Sequence, residues 1–68
     1  MKGIVKSFSP KRGYGFIISE DGAEYFAHFS KIKMNGYKTL ETGQEVEFEA
    51  ESTPRGFSAA DIIVLNRA

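Results

Sequence analysis

The sequence contains no cysteine and no tryptophan, a single histidine and only two prolines. Without cysteine there is no disulfide framework, no thiolate metal site and no thiol nucleophile. One histidine, His28, cannot assemble a zinc site alone, so neither a metal nor any other cofactor is expected. No apolar run approaches the ~20 residues of a membrane span. The N-terminal Met1-Lys2-Gly3-Ile4-Val5-Lys6 breaks off before the apolar stretch of about 7–15 residues that a secretory signal requires. The expectation is a soluble, cytoplasmic protein with no membrane partner. Net charge is missing too. Nine basic and nine acidic residues cancel, so overall charge does not point to a nucleic acid.

What the chain has in quantity is aromatic side chains: six Phe and three Tyr make up 13% of 68 residues. This length allows one domain, 1–68, and a chain of that size buries only about 60% of the surface it exposes when unfolded. The cancelled charge hides an asymmetry. Residues 1–38 carry Lys2, Lys6, Lys11, Arg12, Lys31, Lys33 and Lys38 against Glu20, Asp21 and Glu24. Residues 39–68 carry Arg55 and Arg67 against Glu41, Glu45, Glu47, Glu49, Glu51 and Asp61. Such a split is compatible with a polyanion-binding face and equally with a mixed, solubilising surface.

Turn residues divide the chain into five runs of strand length. Ser9-Pro10-Lys11-Arg12-Gly13, Asp21-Gly22, the connection from Ser30 to Gly43 containing Asn35-Gly36, and Ser52-Thr53-Pro54-Arg55-Gly56 are the breaks. Asp21-Gly22 suits a two-residue type I′ hairpin. The intervening runs, 2–8, 13–19, 23–29, 44–51 and 57–65, are rich in aromatic and β-branched residues, and none shows a helical period. Five short strands avoid wet faces and open edges best by closing, which makes the expected fold all-β, a small five-stranded antiparallel barrel. The core is expected from Val5, Ile17, Ala27, Val46, Phe48, Ala50, Ala60, Ile62 and Val64.

With Ile17 and Ala27 inward, period-2 alternation turns Tyr14, Phe16, Phe26 and His28 outward. Phe8, at the end of the first strand, has the parity to join them. Gly13 and Gly15 then face inward, as suits strands that bend and approach closely. Reversing the labels would leave Gly13, Gly15, Ile17 and Ala27 as an odd surface. An exposed aromatic patch fringed by Lys6, Lys11, Arg12, Lys31 and Lys38 is a binding surface by its chemistry. Rings stack on unpaired bases while lysine and arginine meet phosphates, and a duplex hides its base faces. The expected partners are single-stranded RNA and DNA, not a small-molecule substrate. A protein-interaction module is the alternative, since small barrels also bind peptides. No enzyme is expected, because His28 has neither a cysteine nucleophile nor a carboxylate pair beside it.

Arg12-Gly13-Tyr14-Gly15-Phe16-Ile17 fits the start of the RNP1 pattern, although Ser19 misses its final aromatic. It is no dinucleotide fingerprint, since the third glycine would fall at Ile18. Together with Gly3-Ile4-Val5-Lys6, Phe26-Ala27-His28-Phe29-Ser30, Gly36-Tyr37-Lys38-Thr39-Leu40, Gly43-Gln44 and Arg55-Gly56, this run resembles the bacterial cold-shock proteins over essentially the whole chain. The resemblance implies an OB-type barrel that binds single-stranded RNA and DNA with modest sequence preference and acts as an RNA chaperone in stress responses. Carried over by position, Phe16, Phe26, His28 and Phe29 are the implied stacking residues. Phe8, Tyr14 and Tyr37 extend that surface, and Lys6, Arg12 and Arg55 are its basic positions. Phe29 and Tyr37 rest on the resemblance alone, and Phe29 fits a partly buried ring at a strand end equally well. Three positions depart from the family: Ser7 where Trp is usual, Phe57 where Pro is usual, and Ala27 where Val is common. Phe57 either packs on the barrel rim or adds a stacking site. A monomer is expected, with strand exchange through the 30–43 connection as the route to a dimer.

Overall fold

The computed structural model describes residues 1–33 and 39–66. Its elements are β1 (Lys2–Ser9), β2 (Tyr14–Ser19), β3 (Glu24–His28), a single 3-10 turn (Phe29–Lys31), β4 (Glu45–Thr53) and β5 (Gly56–Asn66). The five expected strands are all present. They close into a barrel in the order β1-β2-β3-β5-β4. The antiparallel expectation holds at four seams. The fifth, β3 against β5, is parallel and short, joining Phe26 to Ser58 and Ala27 to Ala59. A lone bridge between Ile32 and Ile62 continues it beyond the 3-10 turn.

Val5, Ile17, Ala27, Val46, Phe48 and Ile62 fill the interior as their strand parity requires, joined by Tyr25, Ile32, Leu40 and Ala59. The Tyr25 and Phe48 rings meet at 5.0 Å in the middle of it. Two expected core positions are corrected. Ala60 is half-buried and Ala59 takes its place. The register of β4 on β5 slips between Glu47 and Glu49, and Asp61 adopts a φ of 50°. A bulge of this kind inserts an extra residue and exchanges the faces on either side of it. Ala50 is exposed, because β4 is solvent-accessible from Glu49 through Ser52. Its partner on β5, Ala59, is buried, so at this end the core is lined by β5 and not by β4. The Asp21-Gly22 turn is corrected as well. Gly22 has a φ of 89° but Asp21 is not in the left-handed region, which a type I′ turn needs at both central residues. The Gly22 N–H donates to the Ser19 carbonyl and the Ser19 N–H to that of Ala23, so the loop is a type I turn closed by a left-handed glycine.

A second bulge bends β1. Val5 pairs with Ile17 but Ser7 pairs with Phe16, which leaves Lys6 as the extra residue. Up to Val5 the strand is held on both sides. The Val5 N–H donates to the Gln44 carbonyl and its own carbonyl accepts from Gly43, each at 2.9 Å. Beyond the bulge β1 pairs with β2 alone. Gly15 allows the bend. A Cβ there would stand 2.5 Å from the Phe8 Cα and closer still to the Ser7 carbonyl oxygen.

Two predictions follow from this packing. Gly15→Ala should cost roughly 1–3 kcal/mol of stability, as overpacking does, read from the urea midpoint against wild type; an unshifted midpoint would mean that β1 does not press on β2 there. The second concerns Asp21, whose carboxylate accepts from the Ser19 hydroxyl and the Ala23 N–H. The Ser19 bond, and after it the Ala23 bond, hold its pKa below the ordinary aspartate value. A carboxyl lowered on folding contributes stability above its unfolded pKa, and that contribution is lost as pH falls through the folded value. The melting temperatures of wild type and Asp21→Asn should therefore differ above about pH 4 and converge as the solution is acidified below that.

Candidate nucleic-acid interface

Strands β2 and β3 alternate, with Gly15, Ile17, Tyr25 and Ala27 buried and Tyr14, Phe16, Phe26 and His28 on the other side. Register brings the outward residues together in pairs: Phe16 opposite Phe26, and Tyr14 opposite His28. The rings form one continuous network. Phe26 lies 5.9 Å from Phe16 at 71°, 5.5 Å from Tyr14 at 35° and 6.4 Å from His28 at 32°. Centroid separations in this range are those of favourable aromatic pairs. Phe26 is 36% exposed and Phe29 44%, so the outer ring faces are open to flat ligands.

Phe29 reaches the network by leaving the strand. Alternation would have put its ring inward with Tyr25 and Ala27, but β3 ends at His28 and the 3-10 turn swings Phe29 out. The His28 and Phe29 rings then meet at 4.7 Å. Gly13 seats this turn. Its carbonyl accepts from the Phe29 N–H at 2.8 Å, its φ is 79°, and a Cβ on it would stand 2.8 Å from the Phe29 ring. The His28 ring caps the same turn. Its Nδ1 accepts from the Ser30 N–H at 3.2 Å and contacts the Ser30 hydroxyl at 2.8 Å. With Nδ1 accepting from Ser30, the ring's donor is Nε2, on the edge away from that contact.

Phe8 is a correction. Beyond the bulge it pairs with Gly15, on the inward side, and its half-buried ring packs against the core. The same shift puts Ser7 outward and in register with Phe16, exposed at the margin of the aromatic face. Strict alternation had given the reverse. Tyr37 and Lys38 lie outside the described residues.

The basic fringe is less free than the sequence suggested. Lys6 Nζ is 3.2 Å from Glu24, and Lys31 Nζ is 3.9 Å from Glu51. The Arg12 guanidinium donates to the Tyr14 hydroxyl at 3.2 Å, which raises its already high pKa and sets the charge beside an outward ring. Arg55 sits at the tip of the β4–β5 hairpin. Its N–H donates to the Thr53 hydroxyl, which in turn donates to the Gly56 carbonyl. That overhanging hairpin forms the second wall of a groove of about 880 Å³. Phe16, Phe26, His28 and Lys31 lie on one side and Thr53, Arg55, Phe57 and Ser58 on the other. The Phe57 ring, 60% exposed, leans on Tyr25 at 5.9 Å, at the rim of the barrel. Glu24 and Glu51 also line the groove, and neither was anticipated there. Glu24 was readable from its i, i+2 spacing to Phe26. Glu51 was not, because its place depends on β5 lying between β3 and β4.

A closed five-stranded barrel whose second and third strands carry outward rings with cations at their margin is an OB-type nucleic-acid-binding domain. Residues 1–65 match the family model described as the "Cold-shock" DNA-binding domain. Cold shock protein 1 of Lactiplantibacillus plantarum is 52% identical over 61 residues, 90% of this chain and 92% of that one. Cold shock-like protein CspC of Bacillus cereus is 49% identical over 65 residues, 96% of this chain and all of that one. The major cold shock protein of Streptococcus pyogenes is 50% identical over 64 residues, 94% and 96% of the two chains. The chain belongs to the cold-shock domain family, a nucleic-acid-binding family. Among the described residues, no helix is long and apolar enough to cross a membrane.

Proposed function

We propose that this chain binds single-stranded RNA and DNA by stacking unpaired bases on Phe16, Phe26, Tyr14, His28 and Phe29. Lys6, Arg12, Lys31 and Arg55 meet the phosphates. The contiguity of the five rings carries this reading, because a single strand needs successive platforms rather than one. A ring face accepts any base, so the stacking contribution by itself discriminates little between sequences. A protein that holds only the unpaired form of a strand draws weak hairpins toward that form by mass action, which is the action of an RNA chaperone. Lys6 and Lys31 start in ion pairs with Glu24 and Glu51. Exposed pairs of this kind are worth about 0–1 kcal/mol, so phosphates can displace the carboxylates.

Fluorescence anisotropy should show oligo-dT and oligo-rU binding far more tightly than a blunt duplex. The log affinity should fall linearly with log salt, at roughly 0.7 per phosphate contacted. Phe16→Ala and Phe26→Ala should each weaken oligo-dT binding by about 1–3 kcal/mol while leaving the melting transition cooperative. Equal affinity for duplex would sink the proposal.

Ser7→Trp provides an independent check. Position 7 pairs with Phe16 on the outer side, so an indole there would add a platform beside an existing one. The variant should bind oligo-dT roughly five- to a hundredfold more tightly with an unchanged melting temperature.

A further inference from the structure

Cross-strand register sets five residues in one row over the aromatic side of the barrel. Ser7 on β1 pairs with Phe16 on β2, Phe16 with Phe26 on β3, Phe26 with Ser58 on β5, and Ser58 with Glu51 on β4. Adjacent strands lie about 4.8 Å apart, so Glu51 is about 10 Å along the row from Phe26. Only Ser58 stands between them. It is buried, and its hydroxyl donates to the Phe26 carbonyl at 3.3 Å. No side chain in that row rises between the Phe26 ring and the Glu51 carboxylate, and both line the same groove.

Glu51 is a group that stacking and phosphate contact do not use. Its charged partner among the described residues is Lys31 Nζ, at 3.9 Å. That is too long for a hydrogen bond, so both carboxylate oxygens keep their acceptor capacity. A carboxylate in a groove that takes a polyanion repels phosphate. It weakens every strand alike unless something on the bases answers it. Bases differ in what they can offer. Thymine and uracil present one ring N–H, and cytosine and adenine one amino group. Guanine presents N1–H and the 2-amino group side by side, matching the two oxygens of a carboxylate. Paired, charge-assisted hydrogen bonds of this geometry are the strong ones.

We propose that Glu51 is a base-reading residue, selecting guanine over thymine or uracil for the nucleotide stacked on Phe26. A purine lying on that ring extends over Ser58, with its Watson–Crick edge toward Glu51. When guanine engages the carboxylate, Lys31 is released to a neighbouring phosphate. This inference rests on the groove being a single-strand site.

The test is a short oligo-dT carrying a single dG at each position in turn, titrated at fixed salt against wild type, Glu51→Gln and Glu51→Val. Residue 51 is exposed on a strand and valine suits strands, so both variants should fold; melting curves check this. In wild type, one placement of dG should bind roughly five- to a hundredfold more tightly than plain oligo-dT. Deoxyinosine at that placement, which lacks the 2-amino group, should lose most of the gain. The gain should vanish in Glu51→Val and shrink in Glu51→Gln, while plain oligo-dT binds both variants slightly better than wild type. A dG preference that survives in Glu51→Val overturns the assignment. So does a wild type that binds oligo-dT well with no dG preference, and both results leave the single-strand reading intact. A wild type that binds no oligonucleotide overturns that reading and this inference with it.

Discussion

The bulge at Lys6 is the constraint on which the arrangement of the aromatic face depends. A strand in a small closed barrel must bend to pass from one neighbour to the next, and β1 does so where it leaves β4 and continues along β2 alone. The bend brings the Ser7–Phe8 backbone onto Gly15, where only hydrogen fits. It also exchanges the two faces of the strand's end. Phe8 turns in to close the core, and Ser7 turns out beside Phe16. Ser7 thus stands beside Phe16 at the position where the resemblance to cold-shock proteins implies tryptophan. The glycines of the RNP1-like run are therefore mechanical in origin. Gly15 admits β1, and Gly13 admits the Phe29 ring, so the aromatic residues between and after them can form one surface.

Electrostatics on that surface are more balanced than a basic fringe implies. Glu24 and Glu51 enter the groove and each holds a lysine. Exposed ion pairs are weak and salt-sensitive, so they add little to the fold. They lower the positive potential of the groove, and they leave carboxylate acceptors on its wall. The acidic half of the sequence is therefore not simply a far side that balances the charge. One of its residues, Glu51, belongs to the same cross-strand row as Phe16 and Phe26.

Much was legible in the residues themselves. The five strands, the buried Val5, Ile17, Val46 and Phe48, and the outward Tyr14, Phe16, Phe26 and His28 all follow from period-2 alternation. Alternation is a property of the backbone pleat, so it needs no knowledge of neighbours and holds wherever a strand is regular. The faces of β2 and β3, both free of bulges, were therefore determined by sequence alone. Ala50 keeps its register but not its burial; the misreadings of face fall where regularity stops. Phe8 and Ser7 exchange sides at the β1 bulge, and Ala59 replaces Ala60 at the β5 bulge, where Asp61 has a φ of 50°. Phe29 leaves its parity because β3 ends one residue earlier. Only the closed structure could decide these positions, because bulges and strand ends are set by barrel curvature, which is a property of all five strands together. The same holds for Glu51. Its distance from Phe26 in sequence says nothing of their shared row, which exists because the parallel β3–β5 seam closes the barrel and inserts β5 between them.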